Sequence, residues 1–276
     1  MEHEGRFRAR DGQEFYERRW GAEGGGPTHL VVVHGYGEHC SRYAEVAQRL
    51  NANGITVHTY DQRGFGRSPG KRAAIGDIEN LLCDLDDYLE FVRPRFDGKP
   101  WFLMGHSLGG LVLTRYLETR TVDARGAVFC SPFLAFSDDV PEWLLSLANV
   151  LGTLVPWLPV GGVDNSGLSR DPAAVEAADK DPLSYHGWVR AGTGRQFQRA
   201  ITQACAEFQA ISLPAYIIHG TADRVVSKEG SVLLHDGIQS TDKALEMVEG
   251  GYHELWNDLD KTAVIDGIGE WILARL

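Results

Sequence analysis

The sequence predicts an α/β fold in which a mostly parallel central sheet is flanked by helices and interrupted by a helical insertion. Three observations support this prediction. Short apolar runs typical of buried strands alternate along the chain with amphipathic segments of helical period. The alternation implies crossover connections and therefore parallel strands. It stops between residues 137 and 210, where we find helical segments without a clear strand, and it resumes afterwards.

The first part of the chain supplies most of the predicted sheet. Residues 7–10 and 14–19 flank Asp11-Gly12, a dipeptide typical of hairpin turns, so we expect an antiparallel pair at one edge. Apolar runs then predict strands, and segments with apolar residues at helical spacing predict the helices between them. The predicted strands are 28–34, 55–60, 101–105 and 126–130, and the predicted helices are 41–53, 77–92 and 108–119.

The second part of the chain predicts a division into a core and a cap. A core formed by 1–136 and 211–276 is interrupted by a helical cap at 137–210. The cap begins with an apolar stretch and ends with a predicted helix at 194–209. The core then continues with strands at 214–220 and 243–248 and with helices at 227–238 and 259–276.

Charge and cysteine content exclude some classes of protein. The 276 residues include 27 lysines and arginines and 38 aspartates and glutamates, a net charge of −11. This balance argues against a nucleic-acid partner, which requires a basic surface to neutralise phosphates. The four cysteines lie far apart, with no zinc-ligand or dithiol spacing, so we predict no metal site. They are Cys40, Cys83, Cys130 and Cys205.

The same features predict a location. Sparse cysteines fit a reducing compartment, and the first 20 residues lack the apolar core of a signal peptide. The most apolar stretch, 143–160, is interrupted by polar residues and prolines and is too short to cross a membrane. We therefore expect a soluble cytoplasmic protein.

The strongest chemical signal is the sequence Gly-His-Ser-Leu-Gly at 105–109. It matches the G-x-S-x-G pattern, and it lies between a predicted strand and a predicted helix. In that setting Ser107 occupies a sharp turn with its hydroxyl exposed above a helix N-terminus, which favours a developing oxyanion. The alternative is a glycine-rich junction with a helix-capping serine. The strand–turn–helix context favours the nucleophile.

A serine hydroxyl is a weak nucleophile, so the chemistry requires a histidine base later in the chain. His253 lies in a loop between the last predicted strand and the last helix, above the carboxyl ends of the strands. The other histidines after Ser107 are placed less well. His219 belongs to an apolar strand and is expected in the core or behind the site, His235 lies on an amphipathic helix, and His186 lies in the insertion.

The carboxylate that orients this base should leave a strand end between the serine and the histidine. Asp223 does so, in the turn His-Gly-Thr-Ala-Asp that follows an apolar strand. Its alternative role is a turn aspartate that caps the next helix. Asp138 and Asp139 are the next candidates and rank lower because they open the insertion.

Acyl transfer also requires preorganised N–H donors for the oxyanion. One candidate is the backbone N–H of Leu108, next to the nucleophile. The other is the backbone N–H of Tyr36, in a loop that leaves the strand ending at His34-Gly35. A plain strand-ending turn at this point is compatible with that role.

Several motifs recur together over nearly the whole chain from about residue 7. They are His-Gly-Tyr-Gly-Glu-His at 34–39, Ser-Arg-Tyr at 41–43, Asp-Gln-Arg-Gly-Phe-Gly-Arg-Ser at 61–68, Gly-His-Ser-Leu-Gly-Gly at 105–110, Asp-Pro-Leu at 181–183, His-Gly-Thr-Ala-Asp at 219–223 and Tyr-His-Glu at 252–254. This set resembles the monoacylglycerol lipases, serine enzymes of the α/β-hydrolase superfamily, in their bacterial form. The block at 34–43 is the more specific part, because G-x-S-x-G alone indicates only the superfamily.

The resemblance implies an α/β-hydrolase fold with a helical cap over the core. It implies hydrolysis of a monoacylglycerol, a small lipid ester, to a free fatty acid and glycerol without a cofactor. Residue by residue, it assigns the catalytic triad to Ser107, Asp223 and His253 and the oxyanion donors to Tyr36 and Leu108. These are the residues that spacing and context already indicated.

The resemblance also suggests a role for Glu38 and His39 at the polar, glycerol end of the pocket. One departure concerns substrate preference. The family often has histidines where this chain has Gln62 and Phe65.

The apolar start of the insertion predicts a lipid-binding face. Trp143, Leu144, Leu147 and Leu151 recur at helical spacing and are expected to line an acyl tunnel. The same face could instead rest on a membrane or micelle surface, or pack against the core. The absence of basic residues in this stretch disfavours contact with anionic lipid.

Other functions use the same residues. A lysophospholipase, a general carboxylesterase or a thioesterase could use this triad, although the acidic balance offers no evident cation for a phosphate headgroup. A non-catalytic binding module on a hydrolase scaffold is the alternative outside enzymes. Labelling of Ser107 by a fluorophosphonate distinguishes the enzyme from the module.

Overall fold

An eight-stranded sheet organises the part of the chain that the structure describes. The computed structural model describes residues 1–21, 26–137, 140–162 and 164–276, except for the side chains of Glu142 and Leu144. The strand order is β1-β2-β4-β3-β5-β6-β9-β10. The strands are β1 (Glu2–Arg8), β2 (Glu14–Trp20), β3 (Thr28–Val33), β4 (Ile55–Tyr60), β5 (Trp101–His106), β6 (Ala127–Cys130), β9 (Ala215–Gly220) and β10 (Lys243–Val248).

The sheet is antiparallel at one edge and parallel elsewhere. β1 pairs with β2, and β2 pairs with β4, in antiparallel orientation. All the pairs from β4 to β10 are parallel. The predicted hairpin and the mostly parallel sheet are therefore both present. Parallel pairing brings the carboxyl ends of β3, β5, β9 and β10 to the same edge, which is where the candidate site lies.

Helices cover both faces of the sheet and bury two apolar layers. α1 (Ala44–Ala52) and α8 (Lys261–Leu273) pack on one face, and α2 (Ile78–Val92) and α3 (Leu108–Thr119) pack on the other. The strands that these helices cover, such as β3 and β5, are buried along their whole length. The carboxylate of Asp77 caps α2 by accepting a hydrogen bond from the Glu79 backbone N–H.

A segment with no strand of the main sheet separates β6 from β9. It contains α4 (Glu142–Leu154), β7 (Pro159–Gly161), α5 (Pro172–Lys180), β8 (Val189–Arg190) and α6 (Ala191–Glu207). The sequence predicted no clear strand here, whereas β7 and β8 form a short antiparallel pair. Strands of three and two residues are too short to produce an alternating pattern. The boundaries of the cap at 137 and 210 stay a prediction.

The last part of the chain completes the sheet. α7 (Glu229–Gly237) lies between β9 and β10 and contributes to the same apolar layer as α2 and α3. Among the described residues, no helix is both long and apolar enough to span a bilayer. All four cysteines are free thiols.

Candidate active site

Ser107 occupies a sharp turn between β5 and α3. Its φ of +50° lies in a region that residues with a side chain rarely adopt. The neighbouring glycines permit this turn, because a Cβ on Gly109 would lie 2.0 Å from the Val33 carbonyl oxygen and one on Gly105 would lie 2.4 Å from the Gly109 carbonyl oxygen. The turn holds the serine at the N-terminus of α3, next to a cavity that it helps to line.

Asp223 and His253 meet beside that turn. Asp223 follows β9 and His253 follows β10, two neighbouring parallel strands. His253 Nδ1 lies 2.7 Å from Asp223 Oδ2. The His253 ring lies 4.7 Å from the ring of His106, the residue before the serine, and His253 and Ser107 line the same cavity. His253 Nδ1 is therefore engaged with Asp223, and Nε2 is the ring nitrogen that this contact does not use.

Charge and burial act in opposite directions on the two titratable groups. Burial alone would raise the pKa of Asp223, but the charge of His253 and hydrogen bonds from His219 and His253 hold that pKa far below its usual range. Burial lowers the pKa of His253, but the Asp223 carboxylate outweighs it and raises the pKa above its usual value. The aspartate therefore stays ionised, and its charge favours the protonated form of the His253 imidazole.

Two backbone amides lie near the serine: that of Leu108, the next residue, and that of Tyr36, which follows the Gly35 that lies beside Ser107. Within the part of the chain that the structure describes, neither the Tyr36 N–H nor the Leu108 N–H donates a hydrogen bond. The Tyr36 loop is fixed by His34, whose Nδ1 lies 2.8 Å from the Gly35 carbonyl oxygen. That carbonyl belongs to the peptide unit that carries the Tyr36 N–H, so the contact fixes the direction of the amide.

Gln62 and Phe65, the two departures from the family pattern, support the same loop. The Gln62 backbone N–H donates to His34 Nε2 at 2.9 Å, and its side-chain amide donates to the His34 carbonyl oxygen at 2.6 Å. The Phe65 ring packs edge-on against His34 and Tyr36, with ring centroids 5.7 and 5.4 Å away. Their contacts are with the loop, and neither residue lines the cavity.

The cavity above Ser107 has a volume of about 640 Å³ and an uneven polarity. One wall is apolar and consists of Phe133, Phe136, Leu145, Ala148, Val189 and Phe197. The lining also contains a polar cluster, here called the polar end, formed by Glu38, Arg42, His106 and Glu254, and further polar residues such as Asp164, Asp179 and Gln198 line the cavity as well. An apolar chain joined to a hydrogen-bonding group matches this division.

The polar end contains a buried ion-pair cluster. Arg42 pairs through Nη2 with Glu254 and lies 3.5 Å from Glu38 through Nε. Glu38 Oε1 also accepts hydrogen bonds from the Gly35 N–H at 2.5 Å and the Tyr43 hydroxyl at 2.9 Å. Burial and then the charge of Glu254 raise the pKa of Glu38 to about 7, although Arg42 opposes the shift.

The structure differs from the expected acyl-lining face of α4. Trp143 is 67% exposed and Leu147 is 42% exposed, and neither they nor Leu151 line the cavity. The lining residues of this helix are Leu145 and Ala148 instead. The polar residues Glu142, Ser146, Asn149 and Thr153 mark one side of α4, but the remaining sides are both apolar, so the periodicity could not select which of them faces inward. The side chain of Leu144 lies outside the described part of the structure.

His39 also differs from its expected place at the polar end. It does not line the cavity and is 3% exposed. Its Nε2 lies 2.8 Å from Asp181 Oδ2, so it connects the oxyanion loop to the Asp-Pro-Leu motif of the inserted segment. A second contact joins the same two segments, because the N–H of Tyr185, four residues after Asp181, donates to the Gly37 carbonyl oxygen at 2.7 Å.

The competing histidines make contacts other than the one between His253 and Asp223, although His186 also lines the cavity. His186 contacts the Asp181 carbonyl oxygen, and His235 contacts its neighbour Asp236. His219 lies directly behind Asp223, with Nε2 3.0 Å from Oδ2. The candidates Asp138 and Asp139 lie outside the described residues. Within the described residues, no group of histidine, cysteine and acidic side chains has the arrangement of a metal site.

Sequence reasoning missed Arg42 and Glu254 as a pair. They are separated by 212 positions, and no local pattern connects them. The one signal in the sequence was that Glu38 and Arg42 are four residues apart, a spacing that allows an ion pair, within the 34–43 block that carries the family resemblance.

Fold and site define a class, a serine hydrolase of the α/β-hydrolase fold. Residues 27–260 match the family model described as serine aminopeptidase, S33. Among curated proteins, the chain is 34% identical to the monoacylglycerol lipase of Mycolicibacterium smegmatis, over 90% of this chain and 88% of that protein. It is 32% identical to the monoglyceride lipase of Rattus norvegicus, over 96% of this chain and 89% of that one.

A solved structure agrees with these relatives. The crystal structure of the monoacylglycerol lipase of Paleococcus ferrophilus superposes with a TM-score of 0.85 at 34% identity, over 95% of this chain and 99% of that one. The chain belongs to the monoacylglycerol lipase family of serine α/β-hydrolases. As a member it is a carboxylic ester hydrolase, and the resemblance predicted from its motifs is confirmed.

Proposed function

We propose that this enzyme hydrolyses monoacylglycerols to fatty acid and glycerol, with Ser107 as nucleophile, His253 as general base and Asp223 as its orienting carboxylate. The observation that best supports the proposal is the 2.7 Å contact between His253 and Asp223 at a cavity that the serine also lines. The names of the relatives from Mycolicibacterium smegmatis and Rattus norvegicus support the choice of substrate.

In the proposed reaction, His253 Nε2 takes the Ser107 proton as the hydroxyl attacks the ester carbonyl. Asp223 accepts the Nδ1 proton of His253 in a hydrogen bond and stabilises the imidazolium that forms. The N–H groups of Tyr36 and Leu108 donate to the oxyanion. The imidazolium then protonates the leaving glycerol oxygen, and water activated by the same imidazole hydrolyses the acyl-enzyme. Loss of one oxyanion donor would lower turnover by about 10²–10³-fold.

The two ends of the cavity support the assignment of substrate groups. The apolar wall, with Phe133 and Phe197, would receive the acyl chain. The polar end would receive the glycerol, because Glu38 Oε2 is buried without a hydrogen-bond donor in the described structure and can accept one from a hydroxyl.

The test is the initial rate of hydrolysis of 1-monoacylglycerols of increasing chain length, beside a matched diacylglycerol and lysophospholipid. We expect a preference for the monoacylglycerol that Ser107→Ala abolishes and that Ser227→Ala, a matched change outside the cavity lining, leaves intact. Fluorophosphonate labelling of the wild type, absent in Ser107→Ala, would identify the nucleophile. Hydrolysis that persists in Ser107→Ala would refute the triad, and hydrolysis that ignores the headgroup would leave a general esterase.

We also infer that the outer side of α4 makes transient contact with a membrane or micelle surface. Trp143, Val150 and Leu154 are 67%, 56% and 70% exposed, and Trp157 just beyond the helix is 63% exposed. Residues 141–160 contain no lysine or arginine, so hydrophobic burial rather than lipid charge would drive the contact.

Sedimentation with vesicles tests this contact. We expect the wild type to bind zwitterionic and anionic vesicles equally, and Trp143→Ser with Leu154→Ser to reduce binding while hydrolysis of a short-chain monomeric ester continues. Equal sedimentation of the wild type and the double variant would contradict the contact. The cytoplasmic location stays a prediction from cysteine usage.

A further inference from the structure

The charge of the polar end bears on which headgroups the enzyme can accept. Arg42 is the one lysine or arginine among the described residues that line the cavity. The acidic residues in the same lining are Glu38, Asp164, Asp179 and Glu254. The lining therefore contains four acidic residues and a single guanidinium.

That guanidinium already faces two carboxylates. Arg42 is 10% exposed, and it pairs with Glu254 and Glu38, which are 5% and 7% exposed. The position of Glu254 is fixed independently, because the Asn257 side-chain amide donates to Glu254 Oε2 at 2.9 Å and the Glu254 backbone N–H donates to Leu168 at 2.8 Å. Arg42 therefore lies between two carboxylates that offset its charge, and any anion that binds it must also approach them.

We propose that Glu254 is a specificity-determining residue that makes the polar end accept uncharged hydroxyl headgroups and reject phosphate-bearing ones. This inference rests on the proposed function of the same site. A glycerol hydroxyl can donate to Glu38 Oε2 and leaves the Arg42–Glu254 pair intact. A phosphate that approaches Arg42 meets the carboxylates of Glu254 and Glu38, so it is either repelled by them or displaces Glu254, which would leave a buried carboxylate unpaired beside another negative charge.

The expected discrimination is large because buried ion pairs are strongly destabilised when one partner is displaced. We expect kcat/KM of the wild type to be more than about 100-fold lower for a phosphate-bearing monoester than for its uncharged counterpart. The variant Glu254→Gln keeps the size of the side chain and its contact with Asn257 but frees the charge of Arg42. We expect it to raise the ratio of phosphate to uncharged substrate by about tenfold or more.

The experiment compares 1-octanoylglycerol with 1-octanoylglycerol 3-phosphate, both below their critical micelle concentrations. It uses the wild type, Glu254→Gln and Glu229→Gln. The last is a matched loss of charge on the exposed side of α7, away from the cavity. The ratio of kcat/KM for the two substrates should rise in Glu254→Gln and stay at the wild-type value in Glu229→Gln.

A second measurement needs no variant. Inhibition of the wild type by the non-hydrolysable ethers 1-O-octylglycerol and its 3-phosphate should show tighter binding of the uncharged ether. Equal or tighter binding of the phosphate, or an unchanged substrate ratio in folded Glu254→Gln, would overturn the inference. Neither result affects the proposed function, which fails only if the wild type does not hydrolyse 1-octanoylglycerol or if Ser107→Ala still does.

Discussion

The carboxylate of Asp223 receives four hydrogen bonds, and the replacement His219→Leu would remove one of them. Oδ1 accepts from the backbone N–H groups of Val225 and Val226 at 2.7 and 3.1 Å. Oδ2 accepts from His253 at 2.7 Å and from His219 at 3.0 Å. Because all four lone-pair sites of the carboxylate accept a hydrogen bond, these donors fix its position and stabilise its ionised form.

His219 is itself held in one orientation. The side chain is fully buried, and its Nδ1 lies 2.7 Å from the Ser231 hydroxyl oxygen on α7. A nitrogen that faces a carboxylate carries the proton, so Nε2 donates to Asp223 and Nδ1 accepts from Ser231. His219 therefore acts on the reaction as a positioning residue, through Asp223.

Two magnitudes follow for His219→Leu. The lost hydrogen bond to a charged group is worth about 1.5–3 kcal/mol, and the Ser231 hydroxyl left unpaired costs about 1–3 kcal/mol of stability. We expect a lower Tm and a fall in kcat/KM of about tenfold or more. The carboxylate of Asp223 would attract the His253 imidazolium more strongly, so the acid limb of the pH–rate profile should move upward by up to about one unit.

The assay is the pH dependence of kcat/KM for the wild type, His219→Leu and His219→Gln. The glutamine amide can donate from near the position of Nε2, so His219→Gln should recover most of the rate and return the limb toward the wild type. An acid limb that stays in place in His219→Leu, with only Tm lowered, would show that His219 is a packing residue and would refute the reasoning.

Three further predictions concern the rest of the molecule. The kcat/KM of the wild type should fall as the pH drops through a midpoint above 6.5, because His253 must be neutral to act as a base and its pKa is raised. A profile that is flat from pH 5 to 9 would contradict this. Gly109→Ala should abolish activity or folding, because its Cβ would lie 2.0 Å from the Val33 carbonyl oxygen of β3. The control Gly76→Ala places its Cβ in open space and should retain the fold, measured by circular dichroism, and the hydrolysis rate. Burial lowers the pKa of His29 to about 4 and the pKa of its neighbour His58 well below 6.5. Both rings are neutral in the folded protein above pH 6.5, so the stability that they contribute there should be lost as the pH falls toward 4. A Tm that stays constant from pH 6.5 to 4 would be inconsistent with this prediction.

Local patterns were sufficient for most of the architecture. Strands such as β3 and β5 are buried on both faces and appear in the sequence as mostly apolar runs, and α2 shows one apolar face and an aspartate cap. The order of serine, acid and histidine along the chain indicated Ser107, Asp223 and His253, because each follows a predicted strand. The structure brings the side chains of the last two into contact, and their catalytic roles stay proposals.

What the sequence determined by itself is therefore the fold class, the family and the candidate triad, since these depend on short-range periodicity and on motifs at strand ends. The tertiary structure decided which side of α4 faces the cavity, because its single polar stripe leaves two apolar sides and does not distinguish between them. It also decided that the His219 side chain contacts the Asp223 carboxylate and that Glu254 forms an ion pair with Arg42. Pairing between charges separated by 212 residues depends on where the folded strands and loops place them, and no local pattern contains that information.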